Sequence, residues 1–600
     1  MPKNNDNNNP QATPQDPKMD LQAFTENMLA AGAIYNKVFS KMATNAEYSL
    51  SQSIAYPHHL GDLVGKVAQQ FLADPKKIVD FNIQLTKDYV ELYNNVMQRF
   101  LQSGRDESFG KGEKDSRFKD EAWDKNPIFN FIKQSYYLNS TWLHNIIKQV
   151  KALDKHDAHK LEFYTKQFID SVAPTNFAMT NPEVIRQTLV SNGENLVRGA
   201  ENILEDLEKS DGSLMISTAN ADAFKVGETL AATKGKVVFR NDLFELIQYE
   251  ATTDKVHETP LIVMPAWINK YYILDLQQKN SFVKWIVDQG HNTFMISWVN
   301  PGAKLKNKDF EDYMKEGSLT ALEQVRKITG CKQVNFMGYC LGGTLLASTL
   351  AYLKKKGGEF PVKSATFLTT LVDFTDSGDI SVFMDEEQIS YIEERMDEKG
   401  YLDGKDMART FNMLRSNDMI WSFYVNNYLM GQEPFPFDIL YWNSDSTRLP
   451  AKMHSFYLRN MYQDNLLCKP NAVSLDGMSI DLTKIDIPCY LLSTRSDHIA
   501  PWKSTYSATQ IYSGKIRFVL SASGHVAGVV NHPSKEKYCY WTNDRLPNNP
   551  DEWLKEAKEH PGSWWTDWDQ WQAKLAGEKV PARKIKDAIM DAPGKYVKMT

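Results

Sequence analysis

The chain has 600 residues, 69 Lys and Arg against 75 Asp and Glu, and a net charge of -6 with both signs spread along its length. That balance leaves no basic stripe for nucleic acid, and no run approaches eighteen apolar residues, so no transmembrane helix is expected. The five cysteines (331, 340, 468, 489 and 539) are odd in number and form no C-x-x-C pair, so no metal site is expected and a reduced cytoplasmic setting is the simple reading.

Residues 1–18 are polar, rich in Asn and Pro, and have the character of a disordered tail rather than a signal peptide. Residues 19–210 read as a helical N-terminal domain. Asp20-Leu21-Gln22-Ala23-Phe24 starts one helix, and Lys76 to Leu101 carries apolar residues at three-to-four spacing. Residues 102–126, charged and with three glycines, suggest a mobile link. A further helix is expected from Pro127 to about Leu153, and Asn181-Pro182-Glu183 opens another. His156 and His159 are expected to face solvent.

From residue 211 to 600, strands and helices alternate. The expected strands are Val237–Phe239, Phe244–Tyr249, Leu261–Met264, Asn292–Trp298, Gln333–Gly338, Ser364–Leu371, Cys489–Ser493 and Arg517–Leu520. Runs such as Phe294-Met295-Ile296 are apolar on both faces, as parallel strands covered by helices must be. Residues 375–455 interrupt the alternation with helical runs and Pro434-Phe435-Pro436-Phe437, and read as a cap that keeps water from the active site. The C-terminal tryptophans (541, 553, 564, 565, 568 and 571) are expected to pack against the core or a subunit interface. The alternative for them is contact with an apolar polymer.

The strongest signal is Gly338-Tyr339-Cys340-Leu341-Gly342-Gly343. A strand ends at a glycine, a nucleophile follows two residues later, and a helical pattern begins: the layout of a nucleophile elbow. An elbow demands an acid and then a histidine, each after a strand. Asp497 and His525 meet that demand in chain order. A free thiol has a pKa of about 8.5, so a histidine base, steadied by a carboxylate, is needed to make the thiolate. The Leu341 N–H is the natural first oxyanion donor. The second is sought in the loop after Leu261–Met264, with Ile268 the candidate; the other reading of that loop is an ordinary apolar turn. Cysteine in place of serine suits acyl transfer, because thiol attack on a thioester is close to thermoneutral and reversible. A coenzyme A thioester fits as donor, and a cysteine hydrolase stays open.

The residues now permit a comparison. Pro265-Ala266-Trp267-Ile268-Asn269-Lys270-Tyr271-Tyr272-Ile273-Leu274-Asp275, the Cys340 box, Ser496-Asp497-His498-Ile499-Ala500-Pro501-Trp502 and Gly524-His525-Val526-Ala527-Gly528 resemble segments of the class I polyhydroxyalkanoate synthases. Tyr441-Trp442-Asn443 and Gly562-Ser563-Trp564-Trp565 match as well. Ala266 departs, standing where a second proline is common. The resemblance implies an α/β-hydrolase fold with a cap, preceded by a mostly α-helical domain. It implies Cys340 as the acylated nucleophile, His525 as its base and Asp497 as the third member. It further implies polymerisation of (R)-3-hydroxyacyl-CoA, chiefly with C3–C5 acyl chains, into an intracellular polyester. No cofactor is implied, coenzyme A being the leaving group. The family works as cytoplasmic homodimers associated with polyester granules. His498 either helps position the acid or only packs.

Overall fold

A computed structural model of the chain describes residues 19–51, 60–101, 115–150, 153–210 and 214–600. An eleven-stranded sheet organises the C-terminal part. Its strands are β1 (Gly235–Arg240), β2 (Phe244–Tyr249), β3 (Leu261–Met264), β4 (Thr293–Trp298), β5 (Val334–Tyr339), β6 (Val362–Leu368), β7 (Cys489–Thr494), β8 (Ile516–Ser521), β9 (Cys539–Thr542), β10 (Lys558–Pro561) and β11 (Met590–Asp591). The spatial order is β10-β9-β8-β7-β6-β5-β3-β4-β2-β1-β11. Strands β4, β3, β5, β6, β7 and β8 run parallel, and antiparallel strands flank them on both sides. This is the sheet of an α/β-hydrolase fold.

Burial explains the strand compositions. Phe294, Met295 and Ile296 of β4 are inaccessible to solvent, because helices such as Phe282–Asp288 and Leu341–Lys356 cover the two faces. The eight strands expected from sequence all occur, with ends shifted by a few residues. Strands β9, β10 and β11 were not anticipated. β10 is Lys-Glu-His-Pro, a charged edge strand closed by proline, so it lacks the apolar alternation that announces an interior strand.

The N-terminal helices are Leu21–Ser51, Leu60–Ala73, Pro75–Leu101, Pro127–Lys148, Lys155–Ser171, Pro182–Val190 and Glu194–Lys209. Asp20 caps the first through the N–H groups of Gln22 and Ala23, and Asn181 caps Pro182–Val190 through Glu183 and Val184. The fourth helix ends at Lys148, short of Leu153. The described part of the expected mobile link, residues 115–126, is packed: Phe118 and Trp123 are buried with ring centroids 4.9 Å apart, and Arg117 reaches Asp115, Asp170 and Asn417. Residues 102–114 and the 1–18 tail lie outside the described residues. His156 and His159 do not simply face solvent. His156 Nε2 lies 3.0 Å from the Ser381 carbonyl, and His159 Nε2 lies 3.2 Å from Asp379 Oδ1. Both sit where helix Lys155–Ser171 meets the cap.

The chain between β6 and β7 holds the cap helices, among them Glu386–Lys399, Gly404–Leu414 and Asp438–Ser444. Helix Ala451–Tyr457 continues directly into Leu458–Gln463, because no glycine or proline interrupts residues 451–469 and Tyr457 and Leu458 are buried. The N-terminal helices grip the cap's outer side. Asn195 and Asn202 donate to the carbonyls of Leu429 and Asn427, Tyr428 donates to Asp206 (2.6 Å), and Lys160 pairs with Asp385 (2.7 Å). The C-terminal tryptophans pack inward: Trp553, Trp564, Trp565 and Trp568 are inaccessible, Trp541 is buried and Trp571 half-buried. Among the intervening charges, Asp567 pairs with Arg517 and Asp569 lies against His291.

Candidate active site

Cys340 follows β5 directly and precedes helix Leu341–Lys356. Its backbone sits at φ 53°, ψ -120°. Such a conformation costs a non-glycine residue about 1–3 kcal/mol, so it must be held. Its N–H donates to the Leu368 carbonyl (2.9 Å), and its own carbonyl accepts the N–H groups of Gly343 (2.9 Å) and Thr344 (3.2 Å). The neighbouring glycines allow close approach rather than unusual dihedrals. A Cβ on Gly338 would lie 2.5 Å from the Gly343 Cα, and one on Gly342 would lie 2.2 Å from the Met264 carbonyl oxygen at the end of β3.

Asp497 and His525 follow the C-terminal ends of β7 and β8, adjacent parallel strands, so the sheet brings them together. His525 Nδ1 lies 2.7 Å from Asp497 Oδ2. The Thr494 hydroxyl donates to the same oxygen (3.0 Å), and the N–H groups of Ile499 and Ala500 donate to Oδ1 (2.9 Å each). The carboxylate is therefore surrounded by donors and has no solvent exposure. Cys340 and the His525 ring line the same cavity, so the sulfur lies within electrostatic reach of the imidazole. Burial works against a charged imidazole, but the Asp497 carboxylate and the Cys340 sulfur outweigh it and hold His525 well above its ordinary value. Burial likewise pushes Asp497 up, but His525 and the two backbone N–H groups bring it below 3.8. His525 thus joins Asp497 directly, and it shares a cavity with Cys340.

The loop after β3 lies beside Cys340, because β3 is the neighbour of β5. Neither the Leu341 nor the Ile268 N–H is taken by a protein acceptor among the described residues. Both residues line a cavity of about 350 Å3, together with Cys340 and His525. The cap supplies a largely apolar roof that includes Phe383, Met384, Met407, Phe411 and Phe437. Asp497 is not part of the cavity wall, whereas His498 is. His498 makes no hydrogen bond to Asp497. Burial above all, with help from Arg415 and His525, pushes it down to about 4, so it is a neutral ring at pH 7.

Three features of the site escaped the sequence reading. Thr494 steadies Asp497, and a hydroxyl three residues before the acid was the available signal. His454 is buried in the cavity wall and pushed down to about 4 by burial. Lys270 is an interior ammonium paired with Asp445 of the cap at 2.7 Å. A lysine amid Trp-Ile-Asn-Lys-Tyr-Tyr was the hint there, but its partner is remote in sequence.

The sheet order and the elbow define an α/β-hydrolase-fold protein, and the family model for the alpha/beta hydrolase fold matches residues 259–531. A second model, described as poly-beta-hydroxybutyrate polymerase (PhaC) N-terminus, matches residues 114–286. The poly(3-hydroxyalkanoate) polymerase subunit PhaC of Rhizobium meliloti (strain 1021) is 43% identical over 97% of this chain and 95% of its own length. The poly(3-hydroxyalkanoate) polymerase of Methylorubrum extorquens is 46% identical over 89% of each chain. The PhaC subunit of Cupriavidus necator is 41% identical over 87% of this chain and 89% of its own. Among solved structures, a putative hydrolase from Agrobacterium vitis S4 is similar at 12% identity and a TM-score of 0.30, over 48% of this chain and 90% of that one. The chain belongs to the poly(3-hydroxyalkanoate) polymerases and is an enzyme of that class. Among the described residues, no helix is long and apolar enough to cross a membrane.

Proposed function

We propose that the enzyme polymerises (R)-3-hydroxyacyl-CoA, chiefly 3-hydroxybutyryl-CoA, through a covalent thioester on Cys340. The observation that carries this reading is that Cys340 and His525 line one apolar cavity while His525 Nδ1 lies 2.7 Å from Asp497 Oδ2. In the first step the Cys340 thiolate attacks the thioester carbonyl. The oxyanion forms between the Leu341 and Ile268 N–H groups. The C–S bond to coenzyme A breaks, and the His525 imidazolium protonates the departing thiolate. The acyl group is then a Cys340 thioester.

Chain growth needs a second proton transfer. The 3-hydroxyl of one acyl unit gives its proton to His525 Nε2 and attacks the thioester carbonyl of another. An oxygen ester forms, and the freed cysteine thiolate again faces the imidazolium. His525 is assigned as the base because Asp497 is already held by His525, Thr494 and two backbone N–H groups and lies off the cavity wall. Asp497 acts through His525. A cavity of about 350 Å3 suits a short acyl chain. The reading includes a homodimer in the cytoplasm, at the surface of polyester granules. Apolar side chains exposed on the N-terminal helices, among them Leu29, Phe39 and Leu72, support a docking role for that region.

The test follows CoA release and product size together, with (R)-3-hydroxybutyryl-CoA and purified wild type or Cys340→Ala. High-molecular-weight polyester from wild type alone is expected. Monomeric hydroxy acid from wild type would mean a hydrolase, and equal activity in both proteins would remove Cys340 from the mechanism.

A further inference from the structure

The loop that carries Ile268 is not free-standing. Residues 267–272 are tied to residues 442–447, a turn of the cap between helices Asp438–Ser444 and Ala451–Tyr457. The Lys270 ammonium lies 2.7 Å from Asp445 Oδ1, and the Tyr272 hydroxyl donates to Asp445 Oδ2 at 2.7 Å. The Trp442 indole N–H donates to the Lys270 carbonyl (2.7 Å), and the Thr447 hydroxyl donates to the Trp267 carbonyl (3.3 Å). Asn269 and Ser446 add an isolated antiparallel bridge. The Lys270 side chain is only 4% exposed. An ammonium so buried needs a carboxylate partner, and Asp445 is that partner. Trp442 and Asn443 of the same cap turn line the cavity beside Ile268.

We infer that Asp445 is a positioning residue for acyl transfer: through Lys270 it couples the docking of the cap to the placement of the Ile268 N–H. When the cap turn is seated, the loop after β3 is held with that N–H aimed into the cavity. When the turn is released, the second oxyanion donor is released with it. Closure over a substrate and assembly of the oxyanion site are thereby one event. This rests on the assignment of Ile268 as an oxyanion donor to the Cys340 thioester.

The test compares Asp445→Asn and Asp445→Glu with wild type by two rates. One is CoA release from (R)-3-hydroxybutyryl-CoA. The other is alkylation of Cys340 by iodoacetamide, a displacement at carbon that needs the thiolate and His525 but forms no oxyanion. Asp445→Asn is expected to lower kcat about 10- to 100-fold, somewhat less than deletion of a donor outright, with KM and the alkylation rate unchanged. Asp445→Glu, which keeps the charge, is expected to recover most of kcat. An unchanged kcat in Asp445→Asn overturns the inference. So does a loss confined to KM, or a parallel fall in alkylation, since either would show that the pair supports binding or the whole site rather than the donor. Cys340→Ala, run alongside, separates the underlying reading: polymer from that variant would sink the thioester mechanism itself, whatever Asp445 does.

Discussion

Replacing Asp497 by Asn tests the charge and tautomer logic of the site at almost constant shape. The surrounding donors dictate how the amide must sit. The Ile499 and Ala500 N–H groups both point at the Oδ1 position, so the asparagine carbonyl oxygen must occupy it. The amide NH2 then faces Thr494, whose hydroxyl can turn to accept, and His525 Nδ1. Nδ1 becomes an acceptor, and the ring proton moves to Nε2, on the side of Cys340. A ring protonated there cannot take the thiol proton. The carboxylate that holds His525 well above its ordinary value is lost as well. In serine triads the same exchange costs about 10⁴ in kcat, or about 5.5 kcal/mol. We expect a fall of about 10³–10⁴ in CoA release, smaller than the serine figure because a thiol is more acidic than a hydroxyl. The assays are steady-state CoA release and iodoacetamide alkylation at pH 7, and both should fall. A variant that keeps more than about a tenth of wild-type kcat, a loss under 1.4 kcal/mol, would refute the tautomer argument.

Further predictions concern pH and packing. Because Asp497 is held below 3.8 and His525 well above 6.5, their ion pair contributes fully between those two values. Its contribution is lost as pH falls through the lowered Asp497 value, or rises through the raised His525 value. The His525 ring, followed by NMR, should therefore stay protonated across that window, and a His525 titration near 6.5 would contradict the pairing. His454 behaves in the opposite sense. Its folded value of about 4 lies below the ordinary 6.5, so the unfolded chain binds the extra proton first and stability falls as pH drops between them. His454→Gln should remove about 3 kcal/mol of that acid destabilisation, read from urea unfolding at pH 7 and pH 4. If the two proteins lose stability in parallel, His454 does not carry the effect. Finally, a Cβ on Gly199 would lie 1.9 Å from the Tyr428 carbonyl oxygen. Gly199→Ala should cost about 1–3 kcal/mol through overpacking and speed proteolysis within residues 417–430; an unchanged urea midpoint would show that the helix and cap yield freely.

Much of the site could be read along the chain because its signals are local. A glycine, a nucleophile and two more glycines can follow an apolar run for few reasons other than a tight strand-to-helix turn. The positions after β7 and β8 announce themselves by the same change from apolar strand to polar loop. The sheet was legible for a related reason: strands buried on both faces, such as β4, are apolar without alternation.

What the sequence by itself determined was therefore the positions of eight of the sheet's eleven strands and the glycine-flanked turn at Cys340, since each depends on neighbours within a few residues. Only the tertiary structure decided what faces what at long range. Tyr272 and Asp445 meet across 173 residues, and His156 and His159 find the cap across more than 200. Those pairings are set by how helices and loops pack, and periodicity carries no record of them. The same holds for the lowered values of His454 and His498, which come first from burial, a property of the assembled cavity rather than of any residue's neighbours in the chain.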